Sequence, residues 1–211
     1  MTELIWGETK DRIIETGIDR GVLYIDGFAY PWNGLVSIKE DSNGGEAQGY
    51  YIDGIKYANI SSYEEFKAVL TAFNAPDAFS RAEGVVRVSP GLFAAQQPRH
   101  TFGLSYRTLL TNPEGIIGYK IHLVYNCIAD PSGRVYETVD NKPEATELSW
   151  SISTLPPIVT GIRPTAHFTI DTTKMAEPLV TSIENVLYGT TTQDASLPSA
   201  PNLVDMVKNY V

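Results

Sequence analysis

Residues 102–125, FGLSYRTLLTNPEGIIGYKIHLVY, decide the fold class. In the first half, Phe102, Leu104 and Tyr106 alternate with glycine or polar residues, and this period of two is typical of a half-buried strand. The sequence Asn112-Pro113-Glu114-Gly115 is a turn signal, and the alternation resumes after it. The apolar positions of the second half are Tyr119, Ile121, Leu123 and Tyr125. The stretch therefore predicts one long antiparallel hairpin.

The same alternation extends outward along the chain in both directions. Residues 147–154 and 165–171 each place apolar side chains on one side and hydroxyl or other polar groups on the opposite side. The Asp53-Gly54 dipeptide supplies the positive φ angles of a type I′ turn, so it predicts a second hairpin over residues 50–58. Further strands are expected at residues 21–25, 35–40, 84–88 and 133–138.

Three segments follow the helical period instead. Residues 63–74 space their apolar side chains three and four apart and overlap a Ser62 to Glu65 capping box, which predicts a helix that ends before Pro76. Residues 174–188 predict a second helix, with Thr173 as its N-cap and Gly189 as its C-terminal stop. A short amphipathic helix at the chain end would carry Leu203, Val204, Met206, Val207 and Tyr210.

The composition agrees with one β-rich domain followed by an arm. Of the 211 residues, 43% are hydrophobic and 19% are charged, which lies within the range of globular proteins. We expect residues 1–189 to form the domain, which is mainly β and antiparallel with two or three helices. Residues 190–211 begin with a stretch rich in Thr, Ser and Pro, and they predict an extended C-terminal arm whose terminal helix docks on this subunit or on a neighbouring one.

Charge and cysteine content narrow the function classes. The formal net charge is -9, whereas a protein that grips nucleic-acid phosphates needs clustered Lys and Arg, so conventional DNA or RNA binding is disfavoured. The single cysteine, Cys127, cannot form an internal disulfide and is expected to be a packed, inert thiol. No export signal is visible and no apolar run approaches the ~20 residues of a membrane helix, so we expect a soluble cytoplasmic product.

A search for chemistry gives little. His100, His122 and His167 lie far apart with no carboxylate or cysteine at ligand spacing, so they are interpreted as solvent or interface histidines. The run from Asp41 begins like a calcium loop, but its twelfth position is Ile52 and not Glu. The motifs of nucleophilic, zinc-dependent and phosphate-binding enzymes are also missing. We therefore expect no catalytic, cofactor-binding or metal-binding residues and no enzymatic activity.

Six segments of the sequence carry a resemblance to a known protein family. The segments that carry it are residues 19–24 (DRGVLY), 31–37 (PWNGLVS), 96–108 (QQPRHTFGLSYRT), 118–126 (GYKIHLVYN), 164–174 (PTAHFTIDTTK) and 187–190 (LYGT). They span nearly the whole chain in matching order. In these segments the chain resembles the major tail proteins, or tail tube subunits, of long-tailed actinobacterial phages.

The resemblance implies a structural role in the virion. Such subunits have an antiparallel β-sandwich or barrel domain with one flanking helix. They assemble into hexameric rings that stack into a hollow tube around a tape-measure protein, with tail terminator and distal tail proteins at the ends. Viral DNA passes through the tube only in transit. The implied location is the virion tail, and the host cytoplasm during assembly, without a membrane or a cofactor.

Assembly of this kind suggests roles for two parts of the chain. We interpret residues 39–49 and the following hairpin as an inter-ring loop, and residues 190–211 as the arm that braces a neighbour. The loop candidates are Lys39, Glu40, Asp41, Glu46, Asp53 and Gly54. An acidic lumen would repel the passing DNA phosphates.

Two other classes remain open at this stage. A minor tail or accessory virion protein would share the β-rich profile but would not assemble by itself. A β-sandwich carbohydrate-binding module could use Trp6, Trp32 or Trp150 as a sugar platform, although Trp150 alternates with aliphatic residues, which predicts that it is buried. An enzyme is the weakest option, since its isolated histidines and carboxylates would have to meet in space.

Overall fold

A computed structural model describes residues 6–8, 12–43, 48–60, 65–130, 133 and 147–210. The strands are β1 Ile14–Ile25, β2 Phe28–Pro31, β3 Leu35–Asn43, β4 Gln48–Ile52, β5 Ile55–Ile60, β6 Glu65–Ala72, β7 Val86–Ser89, β8 Leu92–Ala94, β9 Phe102–Asn112, β10 Gly115–Ala129, β11 Leu148–Thr154 and β12 His167–Asp171. The helices are α1 Glu177–Tyr188 and α2 Ala200–Lys208. The protein is mainly β, with antiparallel sheets and flanking helices, as the alternation predicts.

The β9–β10 hairpin is the centre of the main sheet, whose strand order is β2-β1-β9-β10-β11-β6-β3. The predicted long hairpin is confirmed, with His122 opposite Tyr106 in the ladder. β10 has 15 residues and changes partner along its length: residues 120–124 pair with β12, and residues 127–129 pair with β11. This change of partner divides the sheet into two wings, β2-β1-β9-β10-β12 and β11-β6-β3.

The first core fills the space between the two wings. It combines Leu23 and Leu104 from one wing with Leu70 and Ile152 from the other, so the wings pack face to face. Its centre is Phe79, which lies in the 3₁₀ turn Asp77–Arg81 and has no exposed surface. The ring centroid of Phe79 lies 4.8 Å from that of Trp32, 5.3 Å from that of Phe102 and 5.1 Å from that of Trp150.

The second core lies on the opposite face of the β1-β9-β10 wing, under α1 and α2. Its members include Tyr24, Leu123, Ile183 and Leu203, from β1, β10, α1 and α2. The hydroxyl of Tyr24 donates a hydrogen bond of 2.8 Å to the Leu187 carbonyl and so ties the sheet to the end of α1. Both faces of this wing are therefore buried.

The helix predicted for residues 63–74 is wrong, because Glu65–Ala72 is strand β6. β6 pairs with β3 on one side and with β11 on the other, and Ala68, Leu70 and Ala72 alternate into the first core. A short apolar run fits both periods, and the two ladders decide between them. The proposed N-cap, Ser62, lies outside the described residues.

The second predicted helix is confirmed, but its start is later. Asp171 caps a 3₁₀ turn, Thr172–Lys174, by accepting from the backbone N–H of Thr173. α1 begins only at Glu177, so the prediction of Thr173 as its N-cap is wrong and Ala176 holds that position. Gly189 ends α1 with a φ of 77°, as expected of a C-terminal glycine. The strand predicted at residues 133–138 falls outside the described part of the chain except for Gly133.

The C-terminal arm packs on its own chain. Leu203 is buried in the second core, and Val204, Met206 and Val207 pack against it, while Tyr210 is exposed. Before α2, the Ser196 N–H donates a hydrogen bond of 2.8 Å to the Val186 carbonyl. The predicted terminal helix is confirmed, and its buried face packs in the second core with residues of β1, β10 and α1. Contact with a neighbouring subunit stays a prediction.

None of the helices in the described ranges is long and apolar enough to cross a membrane.

Replacing Phe79 tests the first core. Phe79→Ala removes a fully buried ring that contacts three other aromatic side chains, so we expect it to lower the free energy of unfolding by about 3–5 kcal/mol. Phe93→Ala is the matched control, because Phe93 is 57% exposed. Urea unfolding followed by tryptophan fluorescence measures both, and equal losses in the two variants would contradict the assignment of Phe79 to the core centre.

Replacing Leu203 tests whether the arm belongs to the monomer. Leu203→Ala opens the second core under α2 and should cost about 2–4 kcal/mol of folding stability. Asp205→Ala changes an exposed position on the same helix and should stay within about 0.5 kcal/mol of the parent protein. Urea unfolding at low protein concentration measures both variants. If the free energy of unfolding of the Leu203→Ala monomer were unchanged, the arm would serve only contacts between subunits.

Candidate functional site

A group of polar side chains closes one end of the first core, and we call it the His122 cluster. Its members are Glu15, Glu40, Tyr106, Thr108, Lys120, His122 and His167. Side chains of a strand alternate between faces, so His122 and Lys120 share the face of Val124, which belongs to the first core. The polar cluster therefore continues the core face toward the end of the sandwich.

The two imidazoles are in direct contact. His122 Nδ1 lies 3.0 Å from His167 Nε2, within hydrogen-bond distance, and the ring centroids are 5.2 Å apart. Tyr106 stacks on His122 with an interplanar angle of 2°, and Phe66 packs against His167. The aromatic neighbours hold both rings in fixed orientations.

Two carboxylates reach the imidazoles from other strands. Glu40 Oε1 accepts a hydrogen bond of 2.6 Å from the Tyr106 hydroxyl and lies 3.7 Å from His122 Nδ1. Glu15 accepts from the Thr108 hydroxyl and pairs with Lys120. On the far side of the His122 ring, Nε2 lies 3.0 Å from Thr108 Oγ1.

Burial sets the protonation of the cluster. It lowers the pKa of His122 and, against the attraction of Glu40, also lowers the pKa of His167. Both imidazoles are therefore neutral at neutral pH and each keeps one lone pair. Burial, together with the hydrogen bond to Glu40, raises the pKa of Tyr106, so its phenol remains a donor.

The arrangement provides donor atoms for a cation. One ligand atom each from Glu40, His122 and His167 can lie within 4.8 Å of the other two. Two neutral imidazoles and one carboxylate are a donor set used by divalent transition metals in proteins.

The interpretation of all three histidines as solvent or interface groups is wrong for His122 and His167. The side chain of His122 is buried, and Glu40 supplies the carboxylate that no nearby sequence position could offer. His100 is separate: it is exposed and contacts Asp26 at 2.9 Å. The alternation predicts the strands that carry His122 and His167, but not the β10–β12 pairing or the approach of β3.

The structure separates the inter-ring loop candidates. Asp53 and Gly54 form the tip of the β4–β5 hairpin with φ angles of 52° and 76°, which confirms the predicted turn. Lys39, Glu40 and Asp41 do not lie in a loop, because all three belong to β3 and pair with β6. The remaining candidate, Glu46, lies outside the described residues.

The buried aromatic and thiol groups are part of the first core. Trp32 and Trp150 are buried there, as the alternation predicts for Trp150, so neither can serve as a sugar platform. Trp6 is 82% exposed. Cys127 has no exposed surface and burial raises the pKa of its thiol, which confirms a packed cysteine.

A second polar contact joins the sheet to α1. Arg107 donates two hydrogen bonds to the Asp19 carboxylate, of 2.8 and 2.7 Å, and its guanidinium lies over the Tyr119 ring. Glu184 of α1 lies 3.6 Å from the same guanidinium. The bidentate pair lowers the pKa of Asp19.

This pair predicts a pH-dependent stability. Because the folded-state pKa of Asp19 is lowered below its unfolded value of about 3.9, its contribution is complete above that pH and is lost as the pH falls through the folded-state value. Asp19→Asn should therefore be less stable than the parent protein at pH 7, and the difference should shrink below about pH 4. Urea unfolding across this range measures it.

The control for this effect is Asp53→Asn, the same change at the exposed hairpin tip. It should stay within about 0.5 kcal/mol of the parent protein. A difference for Asp19→Asn that is constant from acid to neutral pH would contradict an ionic origin.

Comparison with known proteins does not assign a family: no family model matches the chain, and no curated protein matches it. The functional inference therefore starts from the surfaces of this chain and from the resemblance of its segments to phage tail tube subunits.

Proposed function

We propose that the protein is the tail tube subunit of a long-tailed phage, which polymerises as stacked hexameric rings into a hollow conduit for genome delivery. The resemblance in sequence suggests the class. The support from the structure is a β sandwich that carries apolar surfaces and a strand edge suited to a second copy of the same chain.

The observation that carries the proposal is the exposed apolar surface of the β4–β5 hairpin. Its large exposed side chains are Tyr50, Tyr51, Ile52, Ile55 and Tyr57. Ile55 is 73% exposed and Tyr57 is 76% exposed. Monomeric proteins rarely leave a contiguous apolar patch of this kind uncovered, whereas a subunit interface buries it.

The hairpin lies where a contact between rings could form. β3 and β6 are paired as far as Asn43 and Glu65, and the β4–β5 hairpin is the next described structure after that end of the ladder. The tip of the hairpin carries Asp53 and Gly54, the two inter-ring candidates that remain in a turn. A hairpin that seats on an unlike surface of the next subunit makes a heterologous contact, and such contacts generate open filaments.

The edge of β3 is a candidate for the contact between neighbouring subunits that closes a ring. Within the described part of the sheet, β3 pairs only with β6, so one side of this nine-residue strand lacks a strand partner. Unpaired strand edges are prone to uncontrolled pairing unless another element covers them. In a ring, the edge of the neighbouring sheet would satisfy the backbone groups of β3 and would join the sheets into a continuous barrel.

The charge of the chain suits passage of DNA through such a ring. A net charge of -9 on each subunit makes an acidic lumen available, and an acidic wall repels phosphates. The proposed partners are other copies of the chain, a tape-measure protein inside the tube, terminator and distal tail proteins at the ends, and viral DNA in transit. The proposal includes no catalytic step.

The test is electron microscopy of the purified full-length protein in negative stain, with light scattering over a range of concentrations. We expect rings or hollow tubes at high concentration. A monomer that does not polymerise, even when mixed with purified tail tips, would overturn the proposal in favour of a minor tail or accessory virion protein.

Replacing apolar side chains of the β4–β5 hairpin tests whether its exposed surface is the assembly surface. The double variant Ile55→Ser, Tyr57→Ser removes apolar surface that the monomer leaves exposed, so we expect a folded subunit with an unchanged unfolding midpoint and no tubes. Ile158→Ser is the matched control, because Ile158 is 82% exposed and lies outside the hairpin. Tubes that form equally well from the double variant would show that the hairpin is not the assembly surface.

A further inference from the structure

The donor atoms of Glu40, His122 and His167 lie within 4.8 Å of one another, close to the separations of the ligands of one metal ion. In four-coordinate zinc with bonds of about 2.0–2.1 Å, neighbouring ligand atoms lie about 3.4 Å apart. His122 Nδ1 lies 3.0 Å from His167 Nε2 and 3.7 Å from Glu40 Oε1, so the two separations bracket that value. Small rotations of the side chains would bring the three atoms to ligand distance of one ion.

Hydrogen bonds behind the His122 ring select the tautomer that a ligand needs. The Thr108 hydroxyl donates its proton to the Glu15 carboxylate, so Thr108 Oγ1 is left to accept from His122 Nε2–H. A neutral imidazole protonated on Nε2 has its lone pair on Nδ1, the atom that faces His167 and Glu40. Such hydrogen bonds to the far nitrogen orient metal-binding histidines in known sites.

The other two ligands are also held in place. The Tyr106 hydroxyl fixes Glu40 Oε1, and Glu40 Oε2 lies 3.9 Å from His167 Nδ1. In the metal-free cluster, His167 Nε2–H donates to the lone pair on His122 Nδ1. Binding of an ion would require the other tautomer of His167, in which the proton is on Nδ1, on the side of Glu40, and the Nε2 lone pair is free to coordinate.

We propose that Glu40, His122 and His167 form a binding site for a divalent transition-metal cation of the Zn²⁺ class. Two imidazole nitrogens and one carboxylate suit zinc, whereas Ca²⁺ and Mg²⁺ prefer ligand sets made only of oxygen. The side chain of Glu40 is 43% exposed, so an ion can reach the cluster from solvent on the side of Glu40.

The site would act as a cross-link within the subunit. His122 and His167 belong to the β10–β12 wing, and Glu40 belongs to β3 in the other wing, so one ion would connect the two halves of the sandwich at the end of the first core. A ligand that binds only the folded state stabilises it by mass action. This role is independent of the tail tube proposal, because it requires no second subunit.

The experiment is a titration of the full-length, chelator-stripped protein with Co²⁺ followed by visible absorption, and then with Zn²⁺ followed by calorimetry. We expect one ion per chain, Co²⁺ bands in the visible that Zn²⁺ displaces, and a rise in Tm on the order of 5 °C with excess Zn²⁺. No binding of either ion at micromolar protein would overturn the proposal.

Ligand substitutions test the assignment of residues. His167→Asn and Glu40→Gln should each weaken the affinity for Co²⁺ by about 100-fold or more, beyond the loss expected from an outer-sphere change. His100→Asn is the matched control, since it removes the remaining histidine and should leave the affinity unchanged. Circular dichroism confirms the fold of each variant; retained affinity in folded His167→Asn would contradict the site.

A measurement on the unsubstituted protein keeps the test independent of variant folding. The chain has three histidines, so the nitrogen resonances of their imidazoles are readily distinguished by NMR. Zn²⁺ should shift the signals of His122 and His167 and leave those of His100 in place. Shifts confined to His100, or spread equally over all three, would show nonspecific surface binding and would overturn the proposal.

Discussion

Burial of the β9–β10 hairpin on both faces is the constraint on which the rest of the structure depends. One face meets the β11-β6-β3 wing through Leu104 and Val124, and the other meets the helices through Ile121 and Leu123. A two-stranded ribbon cannot be stable alone, and covering only one face would leave a large apolar surface in water. The change of partner along β10 and the return of the arm over the sheet both satisfy this requirement.

The same constraint places polar groups where they cannot be exposed. His122 lies on the inner face of β10, so its nitrogens need partners from other strands, because a buried polar group without a hydrogen bond is costly. Thr108 and His167 provide those partners, and their neighbours Glu15 and Glu40 complete the network. A metal site at this point would replace the imidazole contact with a stronger bond between the wings, without changing the topology that brings the residues together.

Stability and assembly use different parts of the chain. The arm helix α2 completes the second core of the monomer, whereas the β4–β5 hairpin exposes Tyr51 and Ile55 and adds little to either core. A structural subunit needs this division, since it must fold before it assembles and must still carry apolar surface for its neighbours. The tail tube proposal accounts for the exposed hairpin and for the acidic charge with one assembly, while the first core explains why Trp32 and Trp150 are inaccessible to a sugar.

Local backbone preferences and side-chain periods act within a few residues, so the sequence alone predicts three kinds of feature. These are the strands whose alternation is long, the turns at Asp53-Gly54 and after Asn112, and the two C-terminal helices. The sequence did not determine residues 63–74, where a short apolar run fits a helix or a strand and only the ladders to β3 and β11 select the strand. It also could not bring Glu40 to His122 and His167, which lie 82 and 127 residues further along the chain by their numbers. The tertiary fold brings these three side chains together, because the packing of the two wings sets which strand faces oppose each other. No local sequence signal encodes that packing.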